Sequence, residues 1–268
     1  MFKTFISTVA LCAGLTFSVA SPSTAAVIGS FDKTRTYQHY YLTGTEYSDL
    51  KLALETAGHR VRAATGVVTE SYLSGLDVFF TGGLDIDPAS PGTATTTSPG
   101  TATATELMLL KSWVMAGGTL VVGGDNSNFT KATNSWLRPI TASMLEMSGG
   151  NVSGGTWATG PDPLLAGGVA GSSLGFVEGG LFASGSYDSL ASYKTGVTAI
   201  ARLGVGQGSV IALGDANFLQ NGTSPTNRQF IVNVADNARV SIVPLPAGLP
   251  LLLAGIAALA LLRRRKVA

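Results

Sequence analysis

An α/β fold, with a mostly parallel sheet and helices on both faces, is predicted by three features of the chain. Short continuous apolar runs at 27–32, 76–81, 119–122 and 209–214 read as strands covered on both sides. Stretches of helical apolar spacing, at 42–57 and 106–116, lie between them. Strand, helix and strand alternate in the rhythm of right-handed βαβ units.

The first strand, 27–32, leads into the helix at 42–57, where Leu50, Leu52, Leu54 and Ala57 mark an apolar face. Gly58 follows, a residue suited to the left-handed end of a helix. A short second strand is expected at 59–63, and a third at 76–81 closes on Gly82 and Gly83. Next comes a repeat, Ser-Pro-Gly-Thr-Ala-Thr at 90–95 and again at 98–103. It has no large apolar side chain, which predicts a mobile loop over 88–105. Such a loop is either a tolerated surface expansion or a glycosylated, adhesive one. The helix at 106–116 presents Leu107, Leu110, Trp113 and Val114, stops at Gly117 and Gly118, and feeds the strand at 119–122. From Gly149 to about Val205 the chain is Gly-rich and reads as hairpins, turns and loops. Gly206, Gln207 and Gly208 then turn into the strand at 209–214, and a helix at 227–237 carrying Phe230, Ile231 and Val234 closes the series.

Both ends carry a different composition. Residues 1–26 have a basic residue at Lys3, an apolar stretch over 5–20 and small-residue cleavage sites at Ser23-Thr24-Ala25 and Thr24-Ala25-Ala26. A signal peptide cut near Ala26, with Ala20 as a second place, is the expectation. Cys12 lies inside the apolar stretch, too early for a lipid-anchored cysteine. At the other end, residues 245–262 hold 18 positions without a charge, followed by Arg263, Arg264, Arg265 and Lys266. A helix needs about 20 apolar residues to span a bilayer core. A transmembrane helix over about 247–262 is expected, with Pro250 in its first turn and the basic cluster on the cytoplasmic side.

The terminal segments account for five of the 17 basic residues, leaving twelve against 16 acids in the body, a net of −4. That balance argues against nucleic acid as a partner. The body, 27–242, has no cysteine, hence no disulfide, thiolate metal site or cysteine nucleophile. One domain is expected at this length, with a core large enough to need no disulfide.

The tail resembles the PEP-CTERM class of sorting signals. Val243, Pro244, Leu245, Pro246 and Ala247 are similar to its VPLPA variant, and the apolar helix and the cluster Arg263, Arg264 and Arg265 follow in the order of that class. The resemblance implies a Gram-negative bacterium, recognition by an exosortase-type membrane protease and an exopolysaccharide-linked export system. It says nothing of the cargo's activity. The body resembles the class I glutamine-amidotransferase-like fold, a flavodoxin-type sheet, over 76–83, 110–122 and 206–215, and is similar to its non-catalytic members. The family's chemistry does not carry over. Gly123, Gly124, Asp125 and Asn126 stand where its nucleophile cysteine would follow a central strand, and Asp215, Ala216 and Asn217 stand where its histidine would follow a late one.

Candidate sites are few. Asp85, Asp87, Asp125 and Asp215 all follow expected strands, where open α/β sheets form their ligand crevice. They could bind a cation such as calcium with Asn126, Asn128 and Asn217, or simply make the turns. The run from Gly123 to Asn128 lacks the spacing and distal Glu of an EF-hand loop. Gly171-Ser172-Ser173-Leu174-Gly175 matches G-x-S-x-G, but His39 and His59 both precede Ser173. The Gly-rich run 204–208 precedes its strand, so it reads as a turn and not as a dinucleotide loop. Tyr37-Gln38-His39-Tyr40-Tyr41 is an aromatic stretch that either packs on the sheet or stacks on sugar rings.

The expected protein is therefore exported by signal peptidase and exosortase-type processing. It is anchored in the inner membrane with its domain in the periplasm, or released to the cell surface or medium. That domain is expected to bind or build, with no enzyme activity and no cofactor, and exopolysaccharide is a candidate partner. The alternative is a metal-assisted envelope hydrolase using the four aspartates.

Overall fold

A computed structural model describes residues 25–84, 100–175, 179–183 and 185–238. The tail at 243–268, nearly all of 1–26, and Asp85 and Asp87 lie outside these. Among the described residues no helix is long and apolar enough to cross a membrane.

The structure is a mixed α/β sheet of nine strands flanked by helices. Its first half is parallel: β2 (Arg60–Val61), β1 (Val27–Ser30), β3 (Val78–Gly83), β4 (Thr119–Gly123) and β11 (Gly208–Leu213), side by side in that order. Its second half is antiparallel: β10 (Thr198–Val205), β9 (Asp188–Tyr193), β6 (Gly155–Trp157) and β7 (Ser173–Leu174). A separate ribbon pairs β5 (Met147–Val152) with β8 (Gly179–Phe182).

Side chains alternate across a strand, so a strand buried on both faces must be apolar at every position. Val78 and Phe80 of β3, Val121 of β4, and Ile211 and Leu213 of β11 enter one core. There they meet Leu50 and Leu54 of α1 (Ser48–Thr56) and Phe230, Ile231 and Val234 of α5 (Pro225–Asn237). Phe79, Leu120, Val122, Val210 and Ala212 enter the other. Leu73 of α2 (Glu70–Leu73), Leu110 and Val114 of α3 (Ala104–Met115), and Trp136, Leu137 and Ile140 of α4 (Thr130–Thr141) cover that face.

Several expectations need correcting. The helix at 42–57 starts only at Ser48. Leu42 is buried from the preceding loop, and Leu52, two positions from Leu50 and Leu54, is 64% exposed on the opposite side. The second strand shrinks to an edge pair, Arg60–Val61. Helices α2 and α4 lie where the sequence reading placed none. Of the loop expected to be mobile over 88–105, residues 88–99 lie outside the described residues, and 100–105 are tied to the fold. Trp136 Nε1 donates to the Gly100 carbonyl at 2.8 Å, and Ala102 N donates to Ser135 Oγ at 3.0 Å. Thr103 and Glu106 form a reciprocal cap that begins α3 two residues early.

A buried ion pair anchors that cap. Arg35 reaches Glu106 at 2.7 and 3.2 Å, and also donates to the carbonyls of Gly66 and Thr101. Its guanidinium carbon lies 4.7 Å from the Phe31 ring centre and 5.7 Å from that of Trp136. Glu106 is only 3% exposed, so removing either partner strands a buried charge. Glu106→Gln should lower stability by about 3 kcal/mol in urea unfolding at pH 7.

The pH dependence has a definite sign. Burial alone would raise the Glu106 carboxyl, but hydrogen bonds from Arg35 and Thr103, with the Arg35 charge, hold it below the usual carboxylate range. Its contribution is full above the unfolded-chain value of about 4.3 and is lost as pH falls through the lower folded value. The urea midpoint of the wild-type protein should therefore drop below that pH more steeply than that of Glu106→Gln.

Candidate functional site

The carboxyl ends of the parallel strands form the place where an open sheet presents its ligand crevice. Gly123 pairs with Leu213 across β4 and β11, and Gly124 N donates to the Leu213 carbonyl at 2.7 Å. Asp125 and Asp215 each follow two residues beyond that pair. The register thus brings two of the four sequence-predicted aspartates to neighbouring strand ends. Both are buried, Asp215 completely.

Each carboxylate serves its own turn. Asp125 Oδ1 accepts from Asn126 N at 2.7 Å. Asp215 Oδ1 accepts from Asn217 N at 2.6 Å and caps the short 3-10 helix Ala216–Leu219. Among the described residues, no three His, Cys, Asp or Glu side chains gather into a metal-holding group.

Three tyrosines surround the pair. Tyr193 Oη donates to the Gly180 carbonyl at 2.9 Å, and Tyr47 Oη donates to the Ala216 carbonyl at 2.8 Å. Burial pushes the Tyr193 phenol far up, and the charges of Asp215 and Asp125 push it further. Burial, then Asp215, do the same to Tyr47, and burial and Glu46 raise Tyr40 with help from Asp125 and Asp215. These phenols therefore remain protonated, and those of Tyr193 and Tyr47 act as donors.

The β5–β8 ribbon closes over this end. Gly180 N donates to the Gly214 carbonyl at 2.8 Å. A Cβ on Gly180 would stand 2.2 Å from Met147 Cε and 2.4 Å from the Asp125 carbonyl. A Cβ on Gly179 would stand 2.2 Å from Tyr193 Oη and 3.2 Å from Asp215 Cβ. Glycine is required at Gly180 because its backbone lies against the Asp125 main-chain carbonyl, and at Gly179 because the Tyr193 hydroxyl, with Asp215 Cβ beside it, fills the place of a side chain. Sequence reading missed Tyr47, Tyr193, Gly179 and Gly180, since only the fold brings them to Asp215.

Beside this covered end lies an aromatic ledge. Tyr37 N donates to the Gly83 carbonyl and Gly83 N to the Tyr40 carbonyl, docking the 37–40 loop on the end of β3. Gly82 takes φ +72°, and a Cβ there would stand 2.1 Å from the Tyr40 carbonyl oxygen. The Tyr37 and Tyr40 rings are stacked at 6.4 Å with planes 5° apart, and Phe129 meets Tyr37 edge-on at 5.5 Å. Tyr37 is 37% exposed, while Tyr40 and Phe129 are buried. The aromatic stretch thus packs on the sheet and also offers one open ring. His39 is exposed, and His59 sits beside Ala26 at the opposite, amino end of the sheet.

Two other sequence matches fall into ordinary structure. Ser173 lies in the edge strand β7, paired antiparallel with β6, and not on the strand-to-helix turn an esterase serine needs. Gly206 and Gln207 form the two-residue turn of the β10–β11 hairpin, with Val205 paired to Gly208.

No protein family description matches the sequence, and no curated protein matches it. Solved structures do. The mmIFT52 N-terminal domain superposes with a TM-score of 0.59 at 12% identity, covering 82% of this chain and 99% of that one. Cytoplasmic Protein STM1381 from Salmonella typhimurium LT2 gives 0.55 at 14% identity, over 79% and 99%. A beta-galactosidase from Rahnella sp. R3 gives 0.51 at 15% identity, over 80% of this chain and 31% of that one. At such identities the likeness is one of fold.

Tyr193→Phe removes the donor to the buried Gly180 carbonyl. It should cost about 1–3 kcal/mol in urea unfolding, the range for a buried acceptor left unsatisfied.

Proposed function

We propose that the protein is an exported envelope or matrix component whose domain binds a partner and catalyses nothing. The observation that carries this reading is the backbone roof of Gly179 and Gly180 over Asp125 and Asp215. A nucleophile or a hydrolytic metal needs an open position for substrate. Here Asp215 is fully buried, and both carboxylates accept main-chain hydrogen bonds from the turns they begin. We read the sheet as a non-catalytic member of the class I glutamine-amidotransferase-like group. Its parallel half runs in the flavodoxin-type order, second strand, first, third, fourth and then a late strand.

Delivery rests on the sequence. The N-terminal leader, cut near Ala26, acts as a signal peptide. Val243, Pro244, Leu245, Pro246 and Ala247 with the following helix and Arg263–Arg265 act as the address read by an exosortase-type protease. At the destination, the ring of Tyr37, backed by buried Tyr40 and Phe129, is the face that meets the partner. An apolar ring face held rigidly by its neighbours suits the faces of sugar rings, and neutral exopolysaccharide is the partner it fits.

Two measurements test this. Intact mass of the protein from membrane and medium fractions should show, in the released form, loss of residues 249–262. A released form that retains them sinks the sorting reading. Retardation of the native protein in gels containing neutral glucan should be abolished by Tyr37→Ala, compared at a temperature where the variant is fully folded. Equal retardation of the variant sinks the glycan reading.

A further inference from the structure

Ala26, just before β1, lies where the expected leader would be cut and is held by both backbone and side-chain bonds. Two bonds meet the small-residue rule for signal peptidase, Ala25–Ala26 and Ala26–Val27. The residues on either side of the first bond differ sharply. Ala25 is exposed, whereas Ala26 has no exposed surface.

Ala26 is held at both ends of its residue. Its carbonyl accepts from Arg60 N at 2.9 Å, joining β1 to β2. Its N–H donates to His59 Nδ1 at 3.2 Å. Because Nδ1 accepts, the imidazole proton is on Nε2. The His59 side chain is 1% exposed, and Nε2 lies 3.4 Å from Asp236 Oδ1 near the end of α5 without closing a hydrogen bond. A buried imidazole nitrogen thus has no hydrogen-bond partner, while its other nitrogen faces the main chain beside a small-residue cleavage site.

We infer that the leader is cut at Ala25–Ala26 and that the freed α-amino group of Ala26 binds His59, with Asp236 as the third member of the series. This rests on the export reading above. Hydrolysis consumes one water, leaves a carboxylate on Ala25 and an amine on Ala26, and at neutral pH the amine takes up a proton. One ammonium proton then goes to Nδ1 as a charge-assisted hydrogen bond, stronger than the amide it replaces. The polarised ring turns its Nε2–H toward the Asp236 carboxylate, so a neutral imidazole bridges a cation and an anion. The remaining ammonium protons face the opening left by Ala25.

Cutting at Ala26–Val27 would instead remove the partner of Arg60 N and the partner of Nδ1 together. It would offer an ammonium to Asp77, whose Oδ2 already holds Val27 N at 2.7 Å. The first product keeps every main-chain bond of the strand edge, and the second loses two.

The full chain, expressed with its own leader in an exporting host, decides between these by N-terminal sequencing. Ala26 is the expected first residue. Val27 or Ser21 overturns the assignment and leaves export standing, whereas an intact Met1 on protein from every fraction overturns export itself. Reductive methylation of the folded protein then probes the amine. Ala26 should label roughly tenfold more slowly than in His59→Gln, a ratio within reach of one charge-assisted hydrogen bond. Equal rates overturn the receptor. Should His59→Gln fail to fold, Asp236→Asn at a side chain 40% exposed serves instead, with faster labelling expected and an unchanged rate overturning the series.

Discussion

The pair formed by Arg35 and Glu106 is the constraint on which the first half of the structure depends. Four separate pieces of chain converge there: the loop after β1, the loop after β2, the end of the Thr/Ala/Pro insert and the first turn of α3. A buried ion pair gives little net stability over an apolar substitute, but it is unforgiving of a missing partner. It therefore fixes position more than it adds energy. Phe31 and Trp136 flank the guanidinium, and Trp136 in turn holds the Gly100 carbonyl, so the insert is tied down where it rejoins the fold.

That dependence explains which elements could be read from the sequence. Strands β3, β4 and β11 were legible because burial on both faces demands unbroken apolar runs, and few other structures do. Helix α3 was legible from Leu110 and Val114, but its true start at Thr103 was hidden by the repeat. The reciprocal bond between Thr103 and Glu106 was present in the sequence as a Thr-x-x-Glu pattern. Helix α4 was missed because Pro139 and a run of Thr, Asn and Ser mask it. Its buried face, Ala132, Trp136, Leu137 and Ile140, still follows helical spacing. Helix α1 was drawn too long because Leu42 is apolar for a reason unrelated to helical period. It fills the core from a loop.

The site was legible by halves. That Asp125 and Asp215 end strands follows from the apolar runs before them, and their convergence follows from strand order. The roof does not, because Gly179 and Gly180 belong to a Gly-rich region whose pairing with Met147–Val152 depends on contacts distant in sequence. Glycines there look like loop composition. In the structure they are the residues that let backbone lie against the Asp125 main-chain carbonyl and the Asp215 Cβ, and Tyr193 reaches Gly180 across 13 positions of chain.

Charge then decides what such a closed end can do. Two neighbouring buried carboxylates would repel and lose solvation together, so the fold must supply donors. It does so with the N–H groups of Asn126 and Asn217, while phenols kept protonated by the same negative field donate to the adjoining carbonyls. These bonds, among the described residues, help to hold the ribbon, the 3-10 turn and the strand ends together. A catalytic pair needs the opposite arrangement, with a nucleophile and a base left open to an incoming atom. On the proposed reading these strand ends serve as a structural joint, and the ring of Tyr37 beside them is one apolar face left open to a partner.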